Sequence, residues 1–377
     1  MRAKARAPAT GQRWLWLLAW LILTGLVVLS ARHVAWDLAW LTITQADPLW
    51  IILALAVNFM ILPVLAWQWV LMLPAGKRVA FPLMQRIMFI VVSVAHTGPP
   101  FAGHAAGIFL VAKRGGTGYA AAVSAKAIDQ LSEGVSKLAM LVTVLAVVPI
   151  STPLRSASFV ILLGVPALFA ALLILAYRVN ALDYWASRLG PRLSALLHFI
   201  ASVSRQMETL RHPGHLAWVL ALGLLQKAME GLAIWAVLMA LGLDVPAWGI
   251  VLCLTAVTLS TMIGLTPANL GVYEATAVLV YGLLGLDSGT ALSAAVLQHV
   301  AYLVPFVGCG WVTLAVEALQ EKRGQRKRGS GLAICITKNE KDRGEVCCQH
   351  GPTVSHQIPR RAVSRDSAGQ CPGGHLS

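Results

Sequence analysis

Pro99-Pro100-Phe101-Ala102-Gly103-His104 and Pro267-Ala268-Asn269-Leu270-Gly271-Val272-Tyr273-Glu274 each interrupt a long apolar run, and both contain P-x-x-x-G. The likeness continues downstream. Ala122-Val123-Ser124-Ala125 leads to Asp129-Gln130, and Ala291-Leu292-Ser293-Ala294 leads to Gln298-His299 at nearly the same offset. Proline removes a helical donor and glycine relaxes the backbone, so an apolar helix is expected to stop and restart at each stretch. Broken apolar helices in corresponding positions of two halves point to a transport site at membrane depth. The plainer alternative is that Pro and Gly merely separate two hairpin helices.

Composition places these breaks in a membrane. With 57% hydrophobic and 12% charged residues and a mean hydropathy of +0.70, the chain of 377 residues holds more apolar surface than one soluble core needs. Crossing about 30 Å of hydrocarbon takes about 20 apolar residues. Runs of that length lie at 14–31, 49–73, 120–148, 159–177, 215–241 and 291–316, while 87–112 and 248–284 contain the breaks. The expected fold is an all-α polytopic membrane protein: two weakly similar, inverted halves, with six full spans and two broken hairpins, either re-entrant or paired. The expected division is a basic N-terminus at 1–13, a first membrane half at 14–177, an amphipathic linker at 178–214, a second half at 215–320 and a tail at 321–377.

Lysine and arginine set the orientation, because cytoplasmic loops are enriched in them. Arg2, Lys4, Arg6 and Arg13 precede the first span, Lys77, Arg78 and Arg86 follow the second, and Lys322, Arg323 and Arg326 follow the last. The opposite connections hold little beyond Arg32 and Arg155. Both termini are therefore expected in the cytoplasm of a cell whose inner membrane the chain crosses. The net charge of +14 is spread over these loops, where anionic lipid explains it without nucleic acid. In the linker, Leu182, Trp185, Leu189, Leu193, Leu196 and Ile200 recur at helical spacing opposite Arg188, Arg192 and Arg205, as an interfacial strap would. The tail is rich in Gly, Ser, Lys and Arg and is expected to be disordered.

Lys126, Asp129, Glu133 and Lys137 step by three and four, which puts them on one side of a helix. At about 2.5 to 3.5 kcal/mol per charge near the bilayer centre, a lipid-facing stripe of this kind would cost about 10 kcal/mol or more. The stripe must face protein or water. Its bland reading is two internal pairs, Lys126 with Asp129 and Glu133 with Lys137; its functional reading is a polar pathway. Gln226, Lys227 and Glu230 repeat the spacing in a later span, and Gln298 and His299 sit in the last. Glu274 follows the second break by a turn, where a carboxylate accepts freed backbone donors, binds a cation or exchanges a proton; otherwise it only complements the helix dipole. His104 occupies the matching place in the first half, where packing is the commoner role for a lone histidine.

At these residues the chain resembles the lysylphosphatidylglycerol synthase transmembrane, or flippase-like, family. That family's pattern has a proline-glycine segment ending in Gly-Glu, a charged helix with an aspartate, and a second break followed by Gly-x-x-Glu. Pro99 to His104, Asp129, and Pro267 with Gly271-Val272-Tyr273-Glu274 stand in these places, over roughly residues 14 to 320. Here His104 replaces the first glutamate, Ala125-Lys126 replaces Glu-Arg, and Ala268-Asn269 replaces two glycines. Members that synthesise aminoacylated lipid carry a large transferase domain, which the short tail does not resemble. The resemblance therefore implies the membrane module alone, moving lipids or lipid-linked compounds between leaflets.

The residues agree with that expectation. Lys126, Lys137 and Lys227 suit a phosphate-bearing head group of an anionic lipid or polyprenyl-phosphate-linked substrate, with Asp129, Glu133 and Glu230 keeping them charged. Pro99, Gly103, Pro267 and Gly271 would shape the cavity. Two other classes compete: a non-catalytic scaffold or subunit of an envelope-lipid pathway, and an intramembrane lipid transferase. No D-D-x-x-D, H-E-x-x-H, C-x-x-C, G-x-S-x-G or P-loop pattern occurs, so neither an enzyme nor a metal or other cofactor is expected.

Overall fold

The computed structural model describes residues 44–98, 101–147, scattered positions between 163 and 174, 191–207, 212–263 and 266–339. The expected span at 14–31, nearly all of that at 159–177, and Pro99 lie outside the described residues. Those that are described form nine α-helices and no strand: α1 Pro48–Met72, α2 Phe81–Thr97, α3 Ala102–Lys113, α4 Tyr119–Val147, α5 Pro191–Arg205, α6 Pro213–Ala240, α7 Ala247–Ser260, α8 Val272–Leu283 and α9 Ser288–Asn339. Of these, α1, α4, α6 and α9 over Ser288–Glu321 are long and apolar enough to cross a membrane, and they coincide with four of the six expected spans.

Local chemistry sets the ends of these helices. Asp47 accepts the amide of Leu49 at 2.9 Å, ahead of Pro48, which opens α1. Asp287 accepts the amides of Gly289 and Thr290, both at 3.0 Å, at the start of α9. The bonds from Thr290 and Gly289 hold the Asp287 carboxyl below its usual range.

Both broken regions form helical pairs. α2 packs on α3, and α7 packs on α8. At 1.5 Å per residue the 12 residues of α3 or of α8 reach only about 18 Å, well short of about 30 Å of hydrocarbon. α2 also packs against the turn Pro267–Asn269 of the second break, so the first hairpin meets the second interruption.

Two apolar clusters flank that meeting point. The first joins α1 to α4 through residues such as Trp69, Met84, Val111 and Leu131. The second joins α6 to α9 through Leu238, Cys253, Tyr281 and Ala294. Val203 and Met207, in and just after α5, are buried in the first cluster, so this part of the linker is packed rather than only laid on a surface. Asn58, Gln68, Ser93, Ser132 and Gln298 are buried, while Leu49, Trp218, Leu279 and Val312 are exposed. Polar groups inside and large apolar groups outside suit a hydrocarbon surround.

α1 and α9 are tied at a specific defect. Pro305 lies inside α9 and has no N–H to give the carbonyl of Ala301 four residues back. Asn58 supplies the missing donor, its Nδ2 bonding that carbonyl at 3.1 Å. Nearby, the Ser93 hydroxyl on α2 lies 2.9 and 2.8 Å from the carbonyls of Phe306 and Val307. Gly310 permits this approach, since a Cβ there would collide with Ser93.

The chain divides into two units, Met1–Leu319 and Gln320–Ser377, at the boundary where composition changes. Disorder is expected from 321 onward, yet helical backbone continues to Asn339. Lys, Arg, Gln, Leu and Ala there are good helix formers, so polarity removed a reason to pack but not the propensity to coil. Residues 340–377 lie outside the described residues.

Asn58→Leu should leave the Ala301 carbonyl without a donor and destabilise the protein by about 1–3 kcal/mol. Adding Pro305→Ala should recover most of that loss, because the new amide at 305 closes the bond within α9. Thermal unfolding of both variants in detergent measures the difference, and an uncorrected double variant would disprove the pairing.

Candidate functional site

α4 carries Lys126, Asp129, Glu133 and Lys137 on one face, and that face borders a cavity between the two apolar clusters. The cavity has two adjoining compartments, of about 370 Å³ and 320 Å³. Their shared wall includes His96, His104, Glu133, Lys227, Glu230 and Asn269.

The charges in this wall are paired within their own helices. Lys126 Nζ meets Asp129 at 2.6 Å, Lys137 Nζ meets Glu133 at 2.7 Å, and Lys227 Nζ meets the two Glu230 oxygens at 2.7 and 2.8 Å. The first two are the pairs that helical spacing suggests. Lys126 Nζ also lies 5.9 Å from the Trp69 ring, within cation–π reach. Three cations and three carboxylates thus surround the cavity without a net charge of their own. An ammonium has three N–H groups, and pairing uses one from Lys126 and one from Lys137. Donors remain for a bound anion.

The breaks complete the wall. Phe101 has φ 66° at the start of α3, and Ala268, Asn269 and Gly271 have φ 54°, 57° and 82° before α8. Gly271 adopts that conformation at little cost and Asn269 tolerates it, whereas Phe101 and Ala268 store strain of the kind that collects at functional segments. The sequence alignment pairs Gly103 with Gly271, but their roles differ. Gly103 sits inside α3, where a Cβ would collide with Ala95 of α2, so it serves close packing rather than the turn.

Glu274 does not border either compartment. Its Oε2 accepts the Gly271 amide at 2.7 Å, the helix-capping role. Its Oε1 contacts His299 Nδ1 at 2.7 Å. Gln298 and His299 border the smaller compartment, and Gln298 also donates to the Tyr281 hydroxyl. Pro267 lies in the turn leading to Asn269, beside the cavity wall formed by Ala268 and Asn269. Among the described residues, no group of three or more His, Cys, Asp or Glu could hold a metal ion.

Several cavity residues escaped sequence reasoning. Gln68 of α1 is buried, donating to Ser132 Oγ at 2.9 Å and to the Val219 carbonyl at 2.8 Å, and accepting from Gln226 at 2.9 Å. His96 bonds the Val92 carbonyl through Nδ1 at 2.8 Å and the Tyr302 hydroxyl through Nε2 at 3.2 Å. A single amide or imidazole inside an apolar run was the available signal, the same one that singled out Gln298.

This is a polytopic α-helical membrane protein with a polar, charge-paired cavity between two interrupted helical hairpins. The chain belongs to the family described as Lysylphosphatidylglycerol synthase TM region, which matches residues 16–310. No curated protein and no solved structure matches it.

Glu230→Leu should strand the Lys227 ammonium and cost about 3 kcal/mol or more. Lys227→Met with Glu230→Leu removes both charges and should restore much of the stability. Unfolding temperatures of the two variants decide the matter; equal losses would show that Lys227 gains little from Glu230.

Proposed function

We propose that this chain moves a phosphate-bearing lipid, or a lipid-linked compound, between the leaflets of a cell membrane. The observation that carries this reading is the convergence of three lysine–carboxylate pairs and both helix breaks on one cavity. A head group can shelter there while its acyl chains stay in the bilayer. Lys126, Lys137 and Lys227 meet the phosphate, and Asp129, Glu133 and Glu230 hold them charged when the cavity is empty of anion. Because the pairs are already formed, the lysines need not be desolvated anew when an anion arrives.

In this reading the hairpins α2–α3 and α7–α8 are re-entrant, each leaving by the side it entered, and the halves around them are inverted. Support comes from helices too short to cross singly and from residues of both breaks lining one cavity. Glu274 acts from behind the wall, through the second break, rather than by touching the head group. No chemical step is assigned to the cavity.

One observation favours a second reading, a scaffold or partner-dependent subunit: each cavity lysine already has a carboxylate. Neutral double replacements separate the two. Lys126→Gln with Asp129→Asn, and Lys227→Gln with Glu230→Gln, keep shape and hydrogen bonding while removing the charges. In proteoliposomes holding head-group-labelled anionic lipids or polyprenyl phosphates, the native chain should exchange label between leaflets and both double variants should lose that exchange. Undiminished exchange by both would exclude the charged cavity as the path, and no exchange by well-inserted native chain would favour the scaffold.

A further inference from the structure

His299 is 2% exposed and has an acceptor at each ring nitrogen. Nε2 lies 2.9 Å from the Ala268 carbonyl oxygen, and Nδ1 lies 2.7 Å from Glu274 Oε1. A neutral imidazole has one N–H, and a carbonyl only accepts, so that hydrogen belongs on Nε2. The Nδ1 contact then needs a second proton, held either by the ring as imidazolium or by Glu274 as the acid. Without it, two lone pairs face each other at hydrogen-bond distance. Either placement gives the same count: one proton more than a carboxylate and a neutral imidazole together hold. The Tyr273 ring lies parallel to His299, with centroids 4.3 Å apart and planes 11° apart, which fixes the imidazole and suits a cation.

We infer that Glu274 and His299 form a proton-binding site whose shared proton latches the second helix break. With the proton in place, hydrogen bonds run from the Gly271 amide through Glu274 and His299 to the Ala268 carbonyl, closing a loop across the break. That loop holds Ala268 and Asn269 in the left-handed region, φ 54° and 57°. When the proton leaves for water in the cavity, one ring N–H remains for two acceptors, so either the Glu274 or the Ala268 contact is lost and the loop opens. Ala268 and Asn269 border both compartments, so their release alters the cavity wall.

Other titratable groups face the same space. His96 of α2 is satisfied as a neutral ring, donating to Val92 and accepting from Tyr302. Glu133 and Lys137 of α4, and Lys227 and Glu230 of α6, are mutually paired. His104 of α3, Cys253 of α7, and Tyr273 and Tyr302 complete the set, and none of them bridges the break. The latch is a property of the break itself and holds whether or not the cavity carries lipid.

The test is a spin label on Leu270→Cys, in the middle of the break, in a full-length chain whose six native cysteines are replaced. Mobility is recorded in liposomes from mildly acidic to mildly alkaline pH. The label should be immobilised at low pH and become mobile as pH rises. Glu274→Gln should stay immobilised throughout, because its amide donates to Nδ1 and accepts from Gly271 as the acid does. His299→Leu should be mobile throughout. A pH-independent spectrum from the otherwise native chain, or a pH-dependent one from Glu274→Gln, would overturn the proposal. Neither result depends on transport, so failure of the latch and failure of the lipid-exchange reading are read separately.

Discussion

An interrupted helix in hydrocarbon exposes amides and carbonyls that lipid cannot hydrogen-bond, and every such group must find a partner within the protein. Much of this structure answers that requirement. At the second break, Thr266 Oγ1 donates to the Leu270 carbonyl at 2.8 Å, the Asn269 amide to Thr266 at 3.0 Å, and the Gly271 amide to Glu274. At Pro305 the freed carbonyl goes to Asn58 on another helix. The second break is answered largely by its own flanking residues and the Pro305 defect by a side chain of another helix, and the latter fixes α1 and α9 as neighbours.

The same economy governs the charges. A lone ammonium at membrane depth is costly, and a lysine that waited unpaired for an anion would destabilise the fold between binding events. Internal carboxylates at i+3 or i−4 remove that penalty without using every ammonium N–H. The arrangement makes the wall neutral and polar, able to accept either an anion at the lysines or a cation or hydroxyl at the carboxylates. In the proposed transport role, selectivity would come from cavity shape and from which partner yields more readily. That is a different design from a bare basic patch, which would bind anions tightly and release them slowly.

Much of this was legible in the sequence, for identifiable reasons. The described spans announce themselves by length and hydropathy, and the stripe from Lys126 to Lys137 by helical spacing. The breaks are marked by proline and glycine. What could not be read was partnership over long separations. Nothing local tells that Asn58 answers Pro305, that Gln68 bridges α4 and α6, or that His299 reaches back to Ala268, because hydrogen bonds between helices leave no periodic trace. The P-x-x-x-G alignment also misled in detail. It equates Gly103 with Gly271, whereas backbone geometry sets Phe101 at the start of α3 and Gly271 at the start of α8. Identical residues serve close packing in one half and a left-handed turn in the other.

That difference extends to the third helical position after each break, which His104 and Glu274 occupy respectively. A carboxylate at this position accepts the amide preceding the helix, as Glu274 does. A histidine offers at most one acceptor and no fixed negative charge, so α3 lacks the clamp that α8 has. The first break does carry fewer amide hydrogens, since Pro99 and Pro100 have none. Its helix is held instead by the close contact of Gly103 with Ala95. One interruption is fixed by packing, which does not respond to protons, and the other by an ionisable bridge, which does. Weakly similar halves have thus become unequal in the property that matters for control, and only the second can couple the cavity wall to protonation.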